Sequence, residues 1–178
     1  DLPPIPLHAS TQMDNRTAQK VQRLHSEGYE QVVLARELTI EEIADIHRQV
    51  PQVPLEVFIH GAICVSYNGR CYASEVCYGR SANRGECAQF CRMPYDLETQ
   101  DGEKLVSGRY LLSMRDMNRT AQLEALLDAG ARSLKIEGRL KDAAYVKNVT
   151  AWYRQKLDAI FKRRQEYCAT SQGRIELS

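Results

Sequence analysis

Four cysteines carry the chemistry of this chain. Cys64, Cys71, Cys87 and Cys91 stand in the spacing C-x6-C-x15-C-x3-C. Four thiolates gathered in one stretch are a ligand set for a soft metal or an iron–sulfur cluster. Gly69, Gly79 and Gly85 let the stretch fold back on itself so that distant sulfurs converge. Arg70, Arg84 and Arg92 adjoin cysteines, and positive charge there lowers thiol pKa and offsets a negative cluster. The same residues could hold a structural zinc ion, and the spacing does not separate the two. Disulfide pairing is the third reading of six cysteines. The chain is larger than a disulfide-dense miniprotein and has regular apolar periodicity, so metal ligation in a reducing cytoplasm is the expectation. Cys77 and Cys168 are read as spare thiols, although Cys77 lies close enough in sequence to replace a ligand.

Other chemistry is sparser. Neither H-E-x-x-H nor G-x-S-x-G occurs, so no hydrolase motif stands out. His60, just upstream of Cys64, could pair with it as base and nucleophile; the plainer reading is a strand-end residue bonded to backbone. Glu137 and Arg139 could bind a polar or anionic substrate. Tyr67, Tyr72 and Tyr78 interleave with Arg70 and Arg80, a pattern that stacks on unpaired bases or packs an insertion onto a core. Residues 130–164 hold ten Lys or Arg against three acids. That third could meet phosphates or be a solvated helix face.

The elements that must position these groups alternate. A short extended segment at His8–Gln12 precedes a predicted helix over Asn15–Glu27, stopped by Gly28. Gln31–Ala35 reads as a strand. Thr39 with Glu42 makes a capping box for a helix whose apolar face is Ile40, Ile43 and Ile46. Leu55–His60 is the next strand. Residues 62–109 break the alternation as a Cys-, Gly- and Arg-rich insertion, too long for an ordinary connection. Tyr110–Ser113 then reads as a strand. Asn118 caps a helix carrying Leu123, Leu126 and Leu127 and ending at Gly130. Ala131–Ile136 is a strand, and a long helix covers Lys141–Arg164 with Val146, Val149, Trp152, Leu157 and Ile160 inward. The tail from Gln165 lacks a pattern and is expected to fray.

Strand–helix alternation gives an α/β fold with a mainly parallel sheet. About five βα units are too few for a closed eight-stranded barrel, which leaves a small open sheet or, as the strand ends favour, a partial (β/α) TIM-like barrel with a long Cys-rich insertion after the third strand. Its parts are residues 1–61, the insertion 62–109, further βα units over 110–164, and the tail 165–178. Polar groups gather after each strand: Ser10, Thr11 and Gln12; Arg36 and Glu37; His60; Arg115 and Asp116; Glu137 and Arg139. Barrel chemistry sits at such strand ends, which makes Arg36, Glu37 and Arg115 candidate substrate-binding residues and His60, Glu137 and Arg139 candidate catalytic ones. Loops are polar in any case.

With 178 residues, 43% hydrophobic and 26% charged, the composition is globular. A net charge of +1 excludes a wholly basic nucleic-acid binder. No run of about eighteen apolar residues exists. The start Asp1-Leu2-Pro3-Pro4 carries no basic and apolar leader and no Met, so a processed chain or an excised piece is expected.

The text from Leu55 to Tyr95 resembles peptidase family U32, the collagenase-like bacterial "peptidases". The matching blocks are Glu56 to Cys64 (EVFIHGAIC), Gly69-Arg70-Cys71, and Gly79 to Arg92 (GRSANRGECAQFCR). Ser10 to Met13, Leu34 to Leu38 and Ser133 to Arg139 (SLKIEGR) also match, in order, up to about Phe161. The Ser81 to Gln89 block is similar to the branch that hydroxylates a ribosomal RNA cytidine; sister branches act on tRNA uridine or in ubiquinone hydroxylation. The resemblance implies a four-iron four-sulfur cluster on Cys64, Cys71, Cys87 and Cys91, with prephenate as oxygen source and ribosomal or other RNA as partner. The family's barrel residues upstream of Ser10 are missing, which implies a fragment. The rival expectations are a metal-dependent collagenase-like peptidase and a non-catalytic zinc-stabilised binding module.

Overall fold

The structure is a computed structural model that describes residues 5–138, 141–170 and 174–177. Its centre is β3 (Leu55–Gly61), where Leu55, Val57 and Ile59 alternate with Glu56, Phe58 and His60. Alternation sends the two sets to opposite faces of the sheet. The first set joins the main apolar core. The second forms a more polar face that runs to the strand end.

Around β3 the sheet is mixed. β1 (Leu7–Ala9) pairs in parallel with β2 (Tyr29–Val33), and β2 pairs in parallel with β3. β7 (Ala131–Ile136) also runs parallel to β3, matching Phe58 with Lys135 and His60 with Ile136. The two-residue β6 (Met117–Asn118) lies antiparallel against His60 and Gly61. The helices α1 (Ala18–Ser26), α2 (Ile40–Gln49) and α4 (Leu123–Asp128) supply Val21, Leu24, Ile43, Ile46, Leu123, Leu126 and Leu127 to the core. Burying each such side chain contributes about 1.5–3 kcal/mol. Leu55 is fully buried in the middle of that layer. Leu55→Ala is expected to lower stability by about 2–5 kcal/mol, read as a shift in urea unfolding followed by circular dichroism.

Local chemistry sets the element ends. The Thr39 hydroxyl accepts from Glu42 N while the Glu42 carboxylate accepts from Thr39 N, the reciprocal box expected for α2. Helix α1 begins later than expected, capped by Thr17. Asn15 is instead fully buried, and its amide donates to Ser10 O and Val33 O, each at 2.9 Å, tying β1 to β2. Asn118 is not the cap of α4: Arg119 precedes a 3-10 turn at Thr120–Gln122 that leads into α4, and Asn118 Oδ1 accepts from Thr120 N at 3.0 Å just before it.

Two expectations are corrected. Tyr110–Ser113 is not a strand: Tyr110, Leu111 and Leu112 are exposed in a turn. The parallel strands are therefore β1, β2, β3 and β7. The described residues of the tail are ordered into strands: β8 (Tyr167–Ala169) and β9 (Ile175–Leu177) pair antiparallel. Arg164 bridges Asp128, Glu124 and Glu166, and the Tyr167 hydroxyl donates to Asp128 at 2.6 Å. Burial and the Asp128 carboxylate push the Tyr167 phenol up to about 12, so it stays a donor.

The long helix α5 (Ala143–Arg163) turns Val149, Leu157 and Ile160 inward as expected, but not Val146 and Trp152. Tyr153 and Ile160 are buried, with Val149, Leu157 and Phe161 beside them. Val146 and Trp152 are exposed: Trp152 lies about 100° round the helix from Tyr153, whereas Val146 shares the stripe of 149, 153, 157 and 160 but sits near the first turn of the helix. No helix among the described residues is long and apolar enough to cross a membrane.

Candidate metal centre and strand-end site

The segment after β3 is built from short pieces. α3 (Ala73–Tyr78) and two 3-10 turns, at Ala82–Arg84 and Phe90–Arg92, alternate with loops. β4 (Tyr95–Glu98) and β5 (Lys104–Arg109) then form a separate hairpin. Ser74 is fully buried and accepts from Ala88 N at 3.1 Å, holding α3 against the chain that carries Cys87 and Cys91. Arg92 clamps the two ends of the segment together. One guanidinium nitrogen donates to Ser113 Oγ at 2.8 Å, and the other donates to Ile63 O, next to Cys64.

All six cysteines are free. Cys64, Cys71, Cys87 and Cys91 are half-buried, whereas Cys77 and Cys168 are exposed. The quartet shares one electrostatic neighbourhood. Burial pushes the Cys91 thiol up, Arg92 pulls it down, and the thiols of Cys64, Cys87 and Cys71 push it up again. Among the described residues, no three His, Cys, Asp or Glu side chains are closed into a metal-holding group. As a donor set the quartet fits a soft metal or an iron–sulfur cluster: four free, half-buried sulfurs, with the Arg92 cation beside Cys91.

The strand ends of the sheet meet beside this segment. Arg36 spans them: it donates to Ala62 O at 3.0 Å, pairs with Glu137 at 3.4 Å and lies 3.9 Å from the Phe58 ring centre. Lys135 approaches the same ring at 5.2 Å and pairs with Glu56 at 3.3 Å. Glu56 also accepts from Gln31 at 2.6 Å and Ser133 at 3.0 Å. This polar layer crosses β2, β3 and β7, and no sequence motif announced it.

His60 is bonded to side chains, not to backbone as the plainer reading had it. Its Nε2 lies 2.9 Å from the Tyr145 hydroxyl and its Nδ1 3.2 Å from the Tyr153 hydroxyl. The Tyr153 hydroxyl donates towards Ile59 O at 2.9 Å, with Asn118 Oδ1 at 3.1 Å. A phenol has one proton to give. The network therefore assigns Nδ1–H as donor to Tyr153 and leaves Nε2 to accept from Tyr145. Both tyrosines come from α5, more than eighty residues downstream.

The remaining candidates separate. Glu37 faces the cysteine segment: it accepts from Asn68 N at 2.8 Å and pairs with Arg16 at 3.2 Å. Arg115 is exposed, and Asp116 pairs with Lys141 at 3.2 Å. Arg139 lies outside the described residues. Sequence reasoning missed Arg119, whose half-buried guanidinium donates to Leu38 O at 2.9 Å; burial lowers its pKa.

Comparison with known proteins agrees over the whole length. The model of peptidase family U32 matches residues 1–178. The chain is 54% identical to the 23S rRNA 5-hydroxycytidine C2501 synthase of Escherichia coli, over 99% of the chain and 27% of that protein. It is 38% identical to tRNA hydroxylation protein P1 of Bacillus subtilis, over 94% of the chain and 39% of that protein. It is also 34% identical to a collagenase of Porphyromonas gingivalis, over 87% of the chain and 40% of that protein. The chain thus spans between about a quarter and two fifths of these relatives. No solved structure matches. The chain belongs to peptidase family U32.

Proposed function

We propose that this chain is the cysteine-bearing part of an RNA-modifying enzyme that hydroxylates a cytidine of ribosomal RNA. The observation that carries the reading is the 54% identity, over nearly the whole chain, to a relative named for 5-hydroxycytidine synthesis in 23S rRNA. The tRNA hydroxylation relatives support the same substrate class. Cys64, Cys71, Cys87 and Cys91 would hold a four-iron four-sulfur cluster. When bound, that cluster supplies redox chemistry beside the strand ends.

The chain's own groups serve that chemistry in simple ways. Arg36 and Glu137 set a charged edge where a polar substrate enters. His60, fixed by Tyr145 and Tyr153, presents one defined tautomer for holding or passing a proton. Exposed Tyr67, Tyr72 and Tyr78 supply faces for unpaired bases. Prephenate is the proposed oxygen donor, and a reducing cytoplasm is the compartment in which free thiols would keep a cluster. The architecture suits a partial (β/α) barrel. Parallel strands β1, β2, β3 and β7 neighbour one another in chain order, without the reversal of a doubly wound sheet.

Two measurements test the reading. The full-length protein, isolated without oxygen, is expected to contain iron and acid-labile sulfide. Ribosomal RNA from a strain lacking the gene is expected to lose one hydroxylated cytidine by mass spectrometry and to regain it with the wild-type gene. An unchanged RNA mass overturns the substrate. Colourless protein with zinc favours the zinc-stabilised module, and chelator-sensitive cleavage of denatured collagen favours the peptidase.

A further inference from the structure

Residues 67–70 touch the strand-end loops of β1 and β2 one after another. The Tyr67 ring lies 4.9 Å from the Arg16 guanidinium. Asn68 is almost fully buried, and its amide donates to Thr11 Oγ1 at 3.1 Å; Thr11 in turn donates to Leu34 O at 3.0 Å. The Asn68 N–H donates to the Glu37 carboxylate. Gly69 N donates to Gln12 Oε1 at 3.3 Å, and a Cβ built on Gly69 would lie 2.4 Å from Gln12 O. Arg70 closes the run on Asp14 at 2.7 Å. Cys71 follows immediately.

A buried asparagine needs partners, and Asn68 finds them in the loops that follow two strands, Thr11 after β1 and Glu37 after β2. Gly69 has φ +74 and fits because it has no side chain. The ordinary reading of Gly69 as a source of flexibility is reversed here: it permits a close backbone contact that holds the loop still.

We infer that Tyr67–Arg70 is a clasp, with Asn68 and Gly69 as positioning residues that fix Cys71 against the ends of β1 and β2. The inference rests on the proposed cysteine site for its purpose but not for its geometry. Glu37 and Gln12 belong to the clasp rather than to a substrate surface. Opening the clasp frees Cys71 while leaving the sheet and Cys77 unaltered.

The test uses the full-length protein and two variants, Asn68→Ala and Gly69→Ala, with Gly102→Ala as control. Gly102 has φ +84 but open space around it, so its substitution carries the backbone cost without the collision. Alkylation of apoprotein thiols by iodoacetamide, followed by mass spectrometry, reads each cysteine separately. Cys71 is expected to react several-fold faster in Asn68→Ala and Gly69→Ala than in wild type or Gly102→Ala, with Cys77 and Cys168 unchanged. Iron retention after anaerobic reconstitution is expected to fall about 10–100-fold in affinity in the same two variants, the range for residues that orient ligands. Unchanged Cys71 alkylation in both variants overturns the clasp, whatever the iron content. Faster alkylation with a wild type that takes up no iron supports the clasp and removes the cofactor reading alone.

Discussion

Cys91→Ala is expected to abolish iron and sulfide loading of the full-length protein, while Cys168→Ala leaves both unchanged. The contrast follows from where the two sulfurs stand. Cys91 is half-buried at the 3-10 turn Phe90–Arg92, and its thiol feels Cys64, Cys87 and Cys71 as well as Arg92. Cys168 is exposed on the hairpin strand β8. Burial, and with it the neighbouring thiols, pushes the Cys91 thiol up, and a bound metal would offset this by taking the thiolate form. In the proposed site, removing one of the four sulfurs would leave a coordination position that no other thiol of the quartet can fill. Cys77 is the one nearby substitute, and it faces solvent on α3. Cys77→Ala alone is therefore expected to keep its cluster, and loading of the wild type should weaken as pH falls, because ligation must displace thiol protons. Iron and acid-labile sulfide per chain, measured on anaerobic protein, decide the matter. Equal iron in Cys91→Ala and Cys168→Ala would sink the assignment.

The parts legible in the sequence were those set by neighbours in the chain. The Thr39–Glu42 box needs only three residues of spacing, and β3 and β7 announce themselves as short segments of apolar residues interleaved with polar ones between turn signals. What failed depended on distant partners. Tyr110-Leu111-Leu112 has the composition of a strand, but a strand needs an edge to pair with. Along β3, β7 pairs from Leu55 to His60, and the last two residues also bind Met117–Asn118. The hairpin β8–β9 looked patternless because Arg164, Asp128 and Tyr167 anchor it through contacts across some forty residues. Hydropathy ranks the indole of Trp152 above Tyr153 as an inward residue. The Tyr153 phenol is the better core residue here, since Ile59 O and His60 give its hydroxyl partners inside. The spacing of the four cysteines is visible in the sequence, whereas the clasp beside them is not, because an asparagine and a glycine between a tyrosine and an arginine look like any loop.

Gly61→Ala is expected to be among the most damaging single methyl additions in the chain, costing about 2–5 kcal/mol of stability when overpacking is added to the penalty for positive φ. Gly61 ends β3 with φ +108, and a Cβ there would lie 2.1 Å from the carbonyl oxygen of Glu137. The obstacle is backbone, so no rotamer change relieves it. Room can come only by parting the ends of β3 and β7, where Glu137 N now donates to His60 O at 2.9 Å. That movement displaces Glu137 from Arg36, and Arg36 from Ala62 O, two residues before Cys64. One methyl group thus disturbs the charged edge, His60 and the root of the cysteine segment together. Gly28→Ala provides the comparison, since Gly28 has φ +97 with nothing near its absent Cβ. Urea unfolding of both variants in the full-length protein separates the terms: the shared loss is the cost of positive φ, and the excess in Gly61→Ala is the collision. Hydrogen exchange should then show faster exchange at Glu137 N in Gly61→Ala and not in Gly28→Ala. Equal unfolding midpoints for the two variants would mean that the ends of β3 and β7 can part freely, and that the strand ends do not form the rigid platform on which the cysteine segment is mounted.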